Sequence, residues 1–219
     1  QGKVPSKQFL TISGAPILIH TLRKFAACEP VTKIFIAMRP QEAEAFAPEL
    51  SHYGIDPQRV SLAEGGEHRQ QSVANALKEV RAEADDIILV HDAVRPFVEQ
   101  ETIIGVIEAV KKHGAAIAGM PAVDTIKQVE RTADGAIIRA TIPREVLVQA
   151  QTPQGCRYGI LKKAFDDAEQ EGFLGTDEAS LLERAGQEVY VVMGSPRNIK
   201  ITTPSDLQLA EFYLGQEEK

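Results

Sequence analysis

The sequence contains no tryptophan and only two cysteines, and aromatic residues make up 5% of its 219 residues. Cys28 and Cys156 lie far apart in the chain, so they form neither the spacing of a zinc site nor a disulfide framework. We expect both to be reduced thiols, which predicts a cytoplasmic protein.

The sequence also lacks long apolar runs and an excess of positive charge. No apolar run approaches the roughly 20 residues that a membrane-spanning helix needs. The chain carries 31 acidic and 24 basic side chains, a net charge of −7. Because nucleic acids bind basic surfaces, we predict no nucleic-acid partner. Because the chain has no long apolar run, we predict no membrane partner. A small anionic substrate is compatible with this charge, since a few local lysine and arginine side chains suffice to bind it.

What the chain does contain is an alternation of helical and strand-like apolar patterns, which is typical of an α/β fold. We therefore predict one domain, residues 1–219, built on a doubly wound, Rossmann-like, mostly parallel sheet. The predicted strands are 33–38, 59–63, 86–90, 115–120, 147–150, 188–193 and 198–202. The predicted helices are 16–28, 41–53, 67–82, 101–113, 159–171, 176–185 and 204–214.

The alternation is interrupted by residues 124–145, where two strand-like segments flank a turn at Asp134-Gly135. This pattern predicts an inserted β-hairpin arm. A hairpin alone is only marginally stable in water, so the arm needs a surface to pack against. A second copy of the chain is the favoured surface, which predicts a homodimer. The alternative is a flap folded onto its own domain.

Candidate site residues follow the predicted strands, because ligands of doubly wound sheets bind beyond the carboxyl ends of the strands. Gly65-Gly66 lie at a strand-to-helix turn, where glycine lets a ligand approach backbone N–H groups. Arg69 and Ser72 come next, on one face of the following helix. The simpler interpretation is a tight turn with a solvated first helical turn.

Asp92 and Arg95 directly follow the apolar strand 86–90. A carboxylate at the end of a buried strand is placed to bind Mg²⁺ or a hydroxyl group. An arginine beside it is suited to neutralise a phosphate. The alternative is an ion pair between the two side chains that only shapes the loop.

Two lysines are further candidates. Lys200 interrupts the predicted strand 198–202, where its side chain alternates with those of two isoleucines. It would bind an anion there, or else protect a sheet edge from aggregation. Lys7 precedes a helix, where a lysine side chain is usually solvated.

Thr152 and Thr176 supply hydroxyl groups, although the segment at Thr176 is also typical of a helix N-cap. The five histidines form no metal-binding pattern, and no nucleophile elbow is present. Lysine, arginine, threonine and aspartate side chains suit phosphate binding better than acyl transfer or redox chemistry. The residues alone therefore predict a doubly wound domain that acts on a phosphorylated ligand.

Seven motifs taken together carry more information than any one of them. They are SKQFL at 6–10, GGEHRQQSV at 65–73, HDAVRPF at 91–97, DTIK at 124–127, QTPQ at 151–154, TDEAS at 176–180 and NIKITTPSDL at 198–207. In this order they resemble the 2-C-methyl-D-erythritol 4-phosphate cytidylyltransferase family over nearly the whole chain. The resemblance implies a nucleotidyltransferase-type fold, transfer of CMP from CTP to the methylerythritol phosphate, and a requirement for Mg²⁺ or another divalent cation. It also implies that the hairpin is a dimerisation arm.

The resemblance assigns roles position by position. Catalytic roles are implied for Lys7, Arg144 and Lys200. Nucleotide binding is implied for Gly66, Glu67, Arg69, Ser72, Asp92 and Ala93, with Asp92 also a metal ligand. Binding of the sugar phosphate is implied for Arg95, Thr125, Thr152 and Thr176, with Thr125 and Arg144 reaching the neighbouring subunit.

The sequence departs from the family pattern at two places. The family opens with a strand and a glycine-rich loop that wraps the triphosphate, whereas this chain opens at Gln1-Gly2. We expect the first strand to be missing from the sequence and Gln1-Gly2 to be a remnant of the loop. Position 67 is Glu where relatives can carry Asp, a change that we expect to be tolerated.

Two other functions compete with this one. Ribitol-5-phosphate cytidylyltransferase is a sister enzyme with a similar HDAVRPF stretch, but the DTIK and TDEAS motifs favour the methylerythritol enzyme. A non-catalytic nucleotide-binding dimer is disfavoured because Lys7, Arg144 and Lys200 are all present.

Overall fold

The computed structural model describes residues 6–217, so the expected loop remnant at Gln1-Gly2 lies outside the described residues. Within that range the strands are β1 (Thr11–Ile12), β2 (Ala15–Pro16), β3 (Ile34–Met38), β4 (Val60–Glu64), β5 (Ile87–Val90), β6 (Ala115–Pro121), β7 (Ile126–Thr132), β8 (Gly135–Ile142), β9 (Val148–Arg157) and β10 (Tyr190–Met193). The helices are α1 (Ile17–Ala26), α2 (Pro40–His52), α3 (Arg69–Glu79), α4 (Gln100–His113), α5 (Tyr158–Gln170), α6 (Glu178–Arg184) and α7 (Pro204–Glu217). Short 3₁₀ turns lie at Lys7–Phe9, Pro57–Arg59 and Arg144–Val146.

The main sheet has four strands in the order β10-β6-β9-β5. Strands β6 and β10 are parallel, as are β3 and β4 in a separate two-stranded sheet. Strand β9 runs antiparallel to both β5 and β6. The predicted α/β class with parallel pairing and an inserted hairpin is therefore confirmed. The direction of β9 was not foreseen: the chain enters this strand from the arm without the crossover helix that a parallel connection requires.

Two strands near the middle of the molecule each have one unpaired edge. Within residues 6–217, β3 pairs only with β4, and β5 pairs only with β9. Ile34 of β3 and Ile87 and Leu89 of β5 nevertheless pack against one shared buried cluster around Phe25 and Ile103. The two sheets thus meet through a common core although no described strand joins them.

Close packing of α4 on the main sheet depends on a glycine. A Cβ atom at Gly155 of β9 would lie 2.8 Å from the Leu89 side chain and 2.9 Å from those of Val106 and Val110. Real Cβ atoms do not approach so closely, so any larger residue would push α4 away from the sheet. No helix within the described residues is long and apolar enough to cross a membrane.

The predicted hairpin is confirmed as β7 and β8, which pair antiparallel. It projects from the body, and every residue of β7 is exposed. Apolar side chains are exposed with it, including Val129 and Ile138, which face each other across the ladder. The arm therefore carries apolar surface that the described chain does not cover.

The predicted strand 198–202 is wrong, because this segment joins no β-ladder. Its backbone groups bond elsewhere: the Ile201 N–H donates to the Val94 carbonyl, and the Asn198 carbonyl accepts from Arg95. The N–H groups of Thr202 and Thr203 donate to Asp206 Oδ2 in the first turn of the last helix. The segment is thus held across the end of the sheet.

Candidate functional site

Asp92 lies just beyond the carboxyl end of β5 and is surrounded by three cations. Its Oδ1 is 3.1 Å from Arg69 Nε, and its Oδ2 is 3.1 Å from Lys200 Nζ and 3.4 Å from Arg95 Nε. The Asp92 side chain is 11% exposed, whereas that of Lys200 is 44% exposed. Four residues that the sequence predicted in three separate segments are therefore brought together at one point.

The charge state of Asp92 follows from this environment. Burial alone would raise the pKa of the carboxyl group, but the positive charges of Arg69 and Lys200 and their hydrogen bonds lower it to about 2. Burial lowers the pKa of Arg95, which remains charged beside Asp92. At neutral pH three cations surround the Asp92 carboxylate, and they outnumber the carboxylates even when Glu178, which pairs with Arg69, is included. This arrangement attracts anions.

Arg69 pairs with a second carboxylate, that of Glu178, for which the sequence predicted no role. Glu178 in the first turn of α6 is 1% exposed. Its two carboxylate oxygens accept from Arg69 Nη1 and Nη2 at 2.7 and 2.9 Å, a bidentate ion pair. Burial raises the pKa of Glu178, and Arg69 opposes that rise. Glu178 thereby fixes the plane of the guanidinium group next to Asp92.

The glycine turn lies between β4 and α3, as the sequence predicted. The Gly66 N–H donates to Ser72 Oγ at 2.9 Å, and the Glu67 N–H donates to Gln71 Oε1 at 2.8 Å. A Cβ atom at Gly66 would lie 2.5 Å from the Gln71 side chain, so only glycine fits here without displacing it. Side chains at the start of α3 thus accept hydrogen bonds from the N–H groups of Gly66 and Glu67.

Lys7 and Lys200 meet at the same segment. Lys7 Nζ donates to the Thr202 carbonyl at 2.8 Å, two residues beyond Lys200. The Lys7 side chain is exposed. Lys7, near the start of the chain, therefore lies beside the segment that carries Lys200, at the edge of the Asp92 cluster.

Thr152 is buried beneath the Asp92 turn. Its Oγ1 accepts from the Asp92 N–H at 3.1 Å and lies 3.0 Å from Nδ1 of His91. Burial lowers the pKa of His91 to about 4, so its ring is neutral near pH 7. The Ala93 carbonyl accepts from Thr21 Oγ1 at 2.8 Å. The backbone around Asp92 is thus held by side chains from β9 and α1.

The remaining three predicted residues are exposed side chains outside this cluster. Arg144 Nη1 donates to the Val123 carbonyl at 2.8 Å at the base of the arm, and Thr125 is exposed there. Thr176 is exposed just before α6. Within residues 6–217 none of these three hydrogen-bonds or ion-pairs with Asp92. Their roles in binding the sugar phosphate stay predictions.

An open cavity of about 480 Å³ lies at the opposite end of β5, and its basic side chains are Lys112, His113 and Arg157. Lys112 occupies the last turn of α4, where its positive charge stabilises the helix. His113 stacks on the Tyr190 ring. Arg157 bonds to Asp85 and to the Lys111 carbonyl. The Asp92 cluster is therefore the better candidate site.

A divalent cation fits the cluster only if a ligand supplies most of its coordination. The described residues contain no group of three or more acidic, histidine or cysteine side chains placed to hold a metal. Asp92 offers one ionised carboxylate. Mg²⁺ is commonly bound by one or two carboxylates together with substrate phosphates and water, so this donor set is compatible with it.

Comparison with known proteins gives a consistent result. The family model for 2-C-methyl-D-erythritol 4-phosphate cytidylyltransferase matches residues 2–216. The chain is 60% identical over 210 residues to the protein of that name from Acidobacterium capsulatum, covering 96% of this chain and 87% of the relative. It is 47% identical to the one from Solibacter usitatus, covering 96% and 86%. The crystal structure of the Francisella tularensis protein superimposes with a TM-score of 0.82 at 37% identity, covering 95% of this chain and 93% of that one.

Proposed function

Because the chain belongs to the 2-C-methyl-D-erythritol 4-phosphate cytidylyltransferase family, we propose that it transfers CMP from CTP to 2-C-methyl-D-erythritol 4-phosphate and releases pyrophosphate. The observation that carries the proposal is the cluster of Arg69, Arg95 and Lys200 around Asp92. It concentrates positive charge at the carboxyl end of the sheet in a protein with a net charge of −7. Such a site suits two phosphorylated substrates.

The reaction needs no protein nucleophile. The phosphate of the acceptor attacks the α-phosphorus of CTP in line, a new P–O bond forms, and the bond to pyrophosphate breaks. Two anions must be held together, so catalysis rests on positioning and charge neutralisation. We assign Lys7 to the α-phosphate, and Lys200 and Arg144 to the attacking phosphate. Arginine suits this task because its planar fork bonds two oxygens.

The other residues bind the two substrates. We assign the cytidine nucleotide to the glycine turn and the Asp92 turn, through Gly66, Glu67, Arg69, Ser72, Asp92 and Ala93. We assign the sugar phosphate to Arg95, Thr125, Thr152 and Thr176. The hydroxyl of Thr152 already bonds within the protein, which supports a role for it in holding the Asp92 turn as well.

We also propose that Asp92 and the substrate phosphates bind Mg²⁺. When bound, the ion would neutralise charge on the phosphates. Asp92 remains ionised at any pH where the enzyme would work, since its pKa is about 2. Removal of divalent cations with EDTA should abolish pyrophosphate release, and added Mg²⁺ should restore it. Full activity in EDTA would contradict the proposal.

We propose further that two copies of the chain dimerise through the arm. Among residues 6–217, Arg144 and Thr125 at the arm base make no hydrogen bond or ion pair with Asp92, which supports a role at the site of a partner. The exposed Val129 and Ile138 supply apolar surface for that contact.

The dimer proposal is tested by charging this surface. The double substitution Val129→Glu and Ile138→Glu should give a monomer in light scattering at micromolar concentration, because two buried carboxylates would oppose association. Thr132→Glu adds charge near the arm tip and should leave the dimer intact. A wild-type monomer under these conditions would contradict the proposal.

The activity is tested by pyrophosphate release from CTP and Mg²⁺, with methylerythritol phosphate and ribitol 5-phosphate assayed in parallel on the full-length protein. We expect release with methylerythritol phosphate only. Release with ribitol 5-phosphate only would assign the chain to the sister activity, and release with neither would favour a non-catalytic nucleotide-binding protein.

Lys200→Met should lower kcat by roughly 100-fold, the usual effect of losing one charge contact to a transition state in a site of this kind. Lys162→Met is the matched control. Lys162 is a lysine on α5 paired with Asp166, so its loss should leave kcat unchanged. Near-normal turnover of Lys200→Met would contradict the assigned role.

A further inference from the structure

His91 precedes Asp92, and the proposed reaction gives it no role. It is partly buried against Phe25, with ring centroids 4.7 Å apart. Its two ring nitrogens each contact one polar group. Nδ1 lies 3.0 Å from Thr152 Oγ1, and Nε2 lies 3.1 Å from the Arg95 carbonyl oxygen.

The partners fix which nitrogen carries the proton. A carbonyl oxygen only accepts hydrogen bonds, so Nε2 must donate to Arg95. In the neutral ring Nδ1 is then an acceptor. Thr152 Oγ1 already accepts from the Asp92 N–H, and its single proton is therefore available to Nδ1. The three hydrogen bonds agree with one tautomer and one hydroxyl orientation.

These hydrogen bonds connect the two ends of the turn that carries Asp92 and Arg95. One end reaches the Asp92 N–H through Thr152, and the other end reaches the Arg95 carbonyl. The turn itself is closed by the Arg95 N–H, which donates to the Asp92 carbonyl at 3.0 Å. His91 therefore links β9 to both ends of the turn.

The turn from Asp92 to Arg95 also fixes the segment that carries Lys200. Arg95 Nη1 donates to the Asn198 carbonyl at 2.6 Å, two residues before Lys200. Asn198 is 1% exposed, and its Nδ2 donates to the Thr152 carbonyl at 2.8 Å. Thr152 is thus bonded on one side to the Asp92 turn and on the other to the segment that carries Lys200.

We propose that His91 is a positioning residue for the reaction: by holding the Thr152 hydroxyl and the Arg95 carbonyl, it sets Asp92, Arg95 and Lys200 in the geometry that receives the two phosphates. The inference rests on the proposed cytidylyltransferase activity. His91 itself touches neither substrate in this scheme and acts only through the residues that do.

The first test compares variants of His91. His91→Phe keeps an aromatic ring against Phe25 but removes both hydrogen bonds, and we expect kcat to fall about 10- to 100-fold, as for other residues that orient ligand-binding groups. His91→Asn retains a polar atom near the Nδ1 position and should recover most of the loss. His113→Phe makes the same exchange beside Tyr190, far from the site, and should leave kcat unchanged.

A double-mutant cycle with Thr152→Val asks whether His91 acts through Thr152. If it does, the double variant should be no slower than the slower single variant, because both remove one chain of hydrogen bonds. Multiplicative losses would overturn the proposal. So would a His91→Phe protein whose kcat stays within about twofold of the wild type, a change too small for a coupled contact.

A measurement without substrate keeps the proposal testable if His91→Phe does not fold. In ¹⁵N NMR of the imidazole rings, the Nδ1 resonance of His91 should move in Thr152→Val and stay in place in Thr132→Val, an exposed arm position. An unchanged resonance in Thr152→Val would overturn the proposal. If the wild type released no pyrophosphate, the proposed function would fail separately, while this comparison would still decide whether His91 and Thr152 are joined.

Discussion

Glu178 is a buried carboxylate whose two oxygens are both bonded by Arg69. It is 1% exposed, so its charge would be costly without that partner. Arg69 depends on it less, because it is partly hydrated and also contacts Asp92. The pair therefore ties α6 to α3 at the point where Arg69 enters the site.

Glu178→Gln should lower the free energy of unfolding by about 2 kcal/mol, less than the loss for a fully buried pair because Arg69 retains Asp92 and some solvent. Turnover should fall as well, since the guanidinium plane is no longer fixed. Urea unfolding and pyrophosphate release measure the two effects. Glu183→Gln, an exposed change on the same helix, serves as the control and should alter neither.

Single site residues could be predicted from the sequence where a charged residue or a glycine pair directly follows a predicted strand. Asp92, Arg95 and the glycine turn were predicted in this way, because ligands of a doubly wound sheet bind beyond the carboxyl ends of its strands. Glu178 and His91 were missed. Glu178 bonds to a residue 109 positions away, and its place after Asp177 has the pattern of an ordinary helix start. His91 was visible in the HDAVRPF motif, but only the geometry shows its two bonds.

Helix α7 begins with a cap built on Asp206. Asp206 Oδ2 accepts from the N–H groups of Thr202 and Thr203, both at 2.8 Å. These backbone bonds lower the pKa of Asp206 to about 2, from an ordinary value of 3.8. The cap also holds the segment on which Lys200 and Lys7 meet, so it connects the last helix to the site.

Asp206→Ala should lower the free energy of unfolding by about 1 kcal/mol at pH 7, the usual effect of losing a cap. Because the folded pKa lies below the unfolded value, the contribution is complete above pH 3.8 and is lost as the pH falls through about 2. Urea unfolding of both proteins between pH 7 and pH 2 should show the difference disappearing. An unchanged difference at pH 2 would rule out the charged cap, and Ser205→Ala should have little effect at any pH.

Elements were predictable where the apolar pattern is long, as in α1, α4 and β6. The predicted strand 198–202 is wrong because its pattern is not unique to strands. Isoleucines on either side of Lys200 also occur where an irregular segment packs its apolar side chains on the core, as here. The length and direction of β9 were missed because its second half, from Gln154 to Arg157, carries little strand pattern. Its small residues are explained by packing: Gly155 lies directly under α4.

At the scale of the whole molecule, the two cysteines lie in different parts of the core. Both are free thiols, as the sequence predicted, and both are buried. Cys28 packs with Phe25 and Val98, and Cys156 of β9 packs against α5. Burial raises the pKa of both thiols, that of Cys156 to about 11. The cytoplasmic location expected from them stays a prediction.

Native protein should therefore react slowly with a thiol reagent at pH 8, and both cysteines should react at once in denaturant. Under native conditions the two sites should be labelled at the same rate if the core opens as one unit. Mass spectrometry of the labelled peptides measures each rate. Much faster labelling of Cys28 would show that the part of the core shared by β3 and β5 opens by itself.

Strand β9 has one more consequence. It runs from Val148 beside the arm to Arg157 directly before α5 and passes Thr152 on the way. Its outer half is exposed and its inner half is buried in the core. Between the two halves its pairing with β6 shifts register, so that residues 151–153 stand opposite Ala118 alone. Bulges of this kind bend a strand and re-aim a side chain, and this one carries Thr152, whose hydroxyl accepts from the Asp92 N–H. The arm and the core are thus joined at an irregular stretch of backbone that also supports the Asp92 turn.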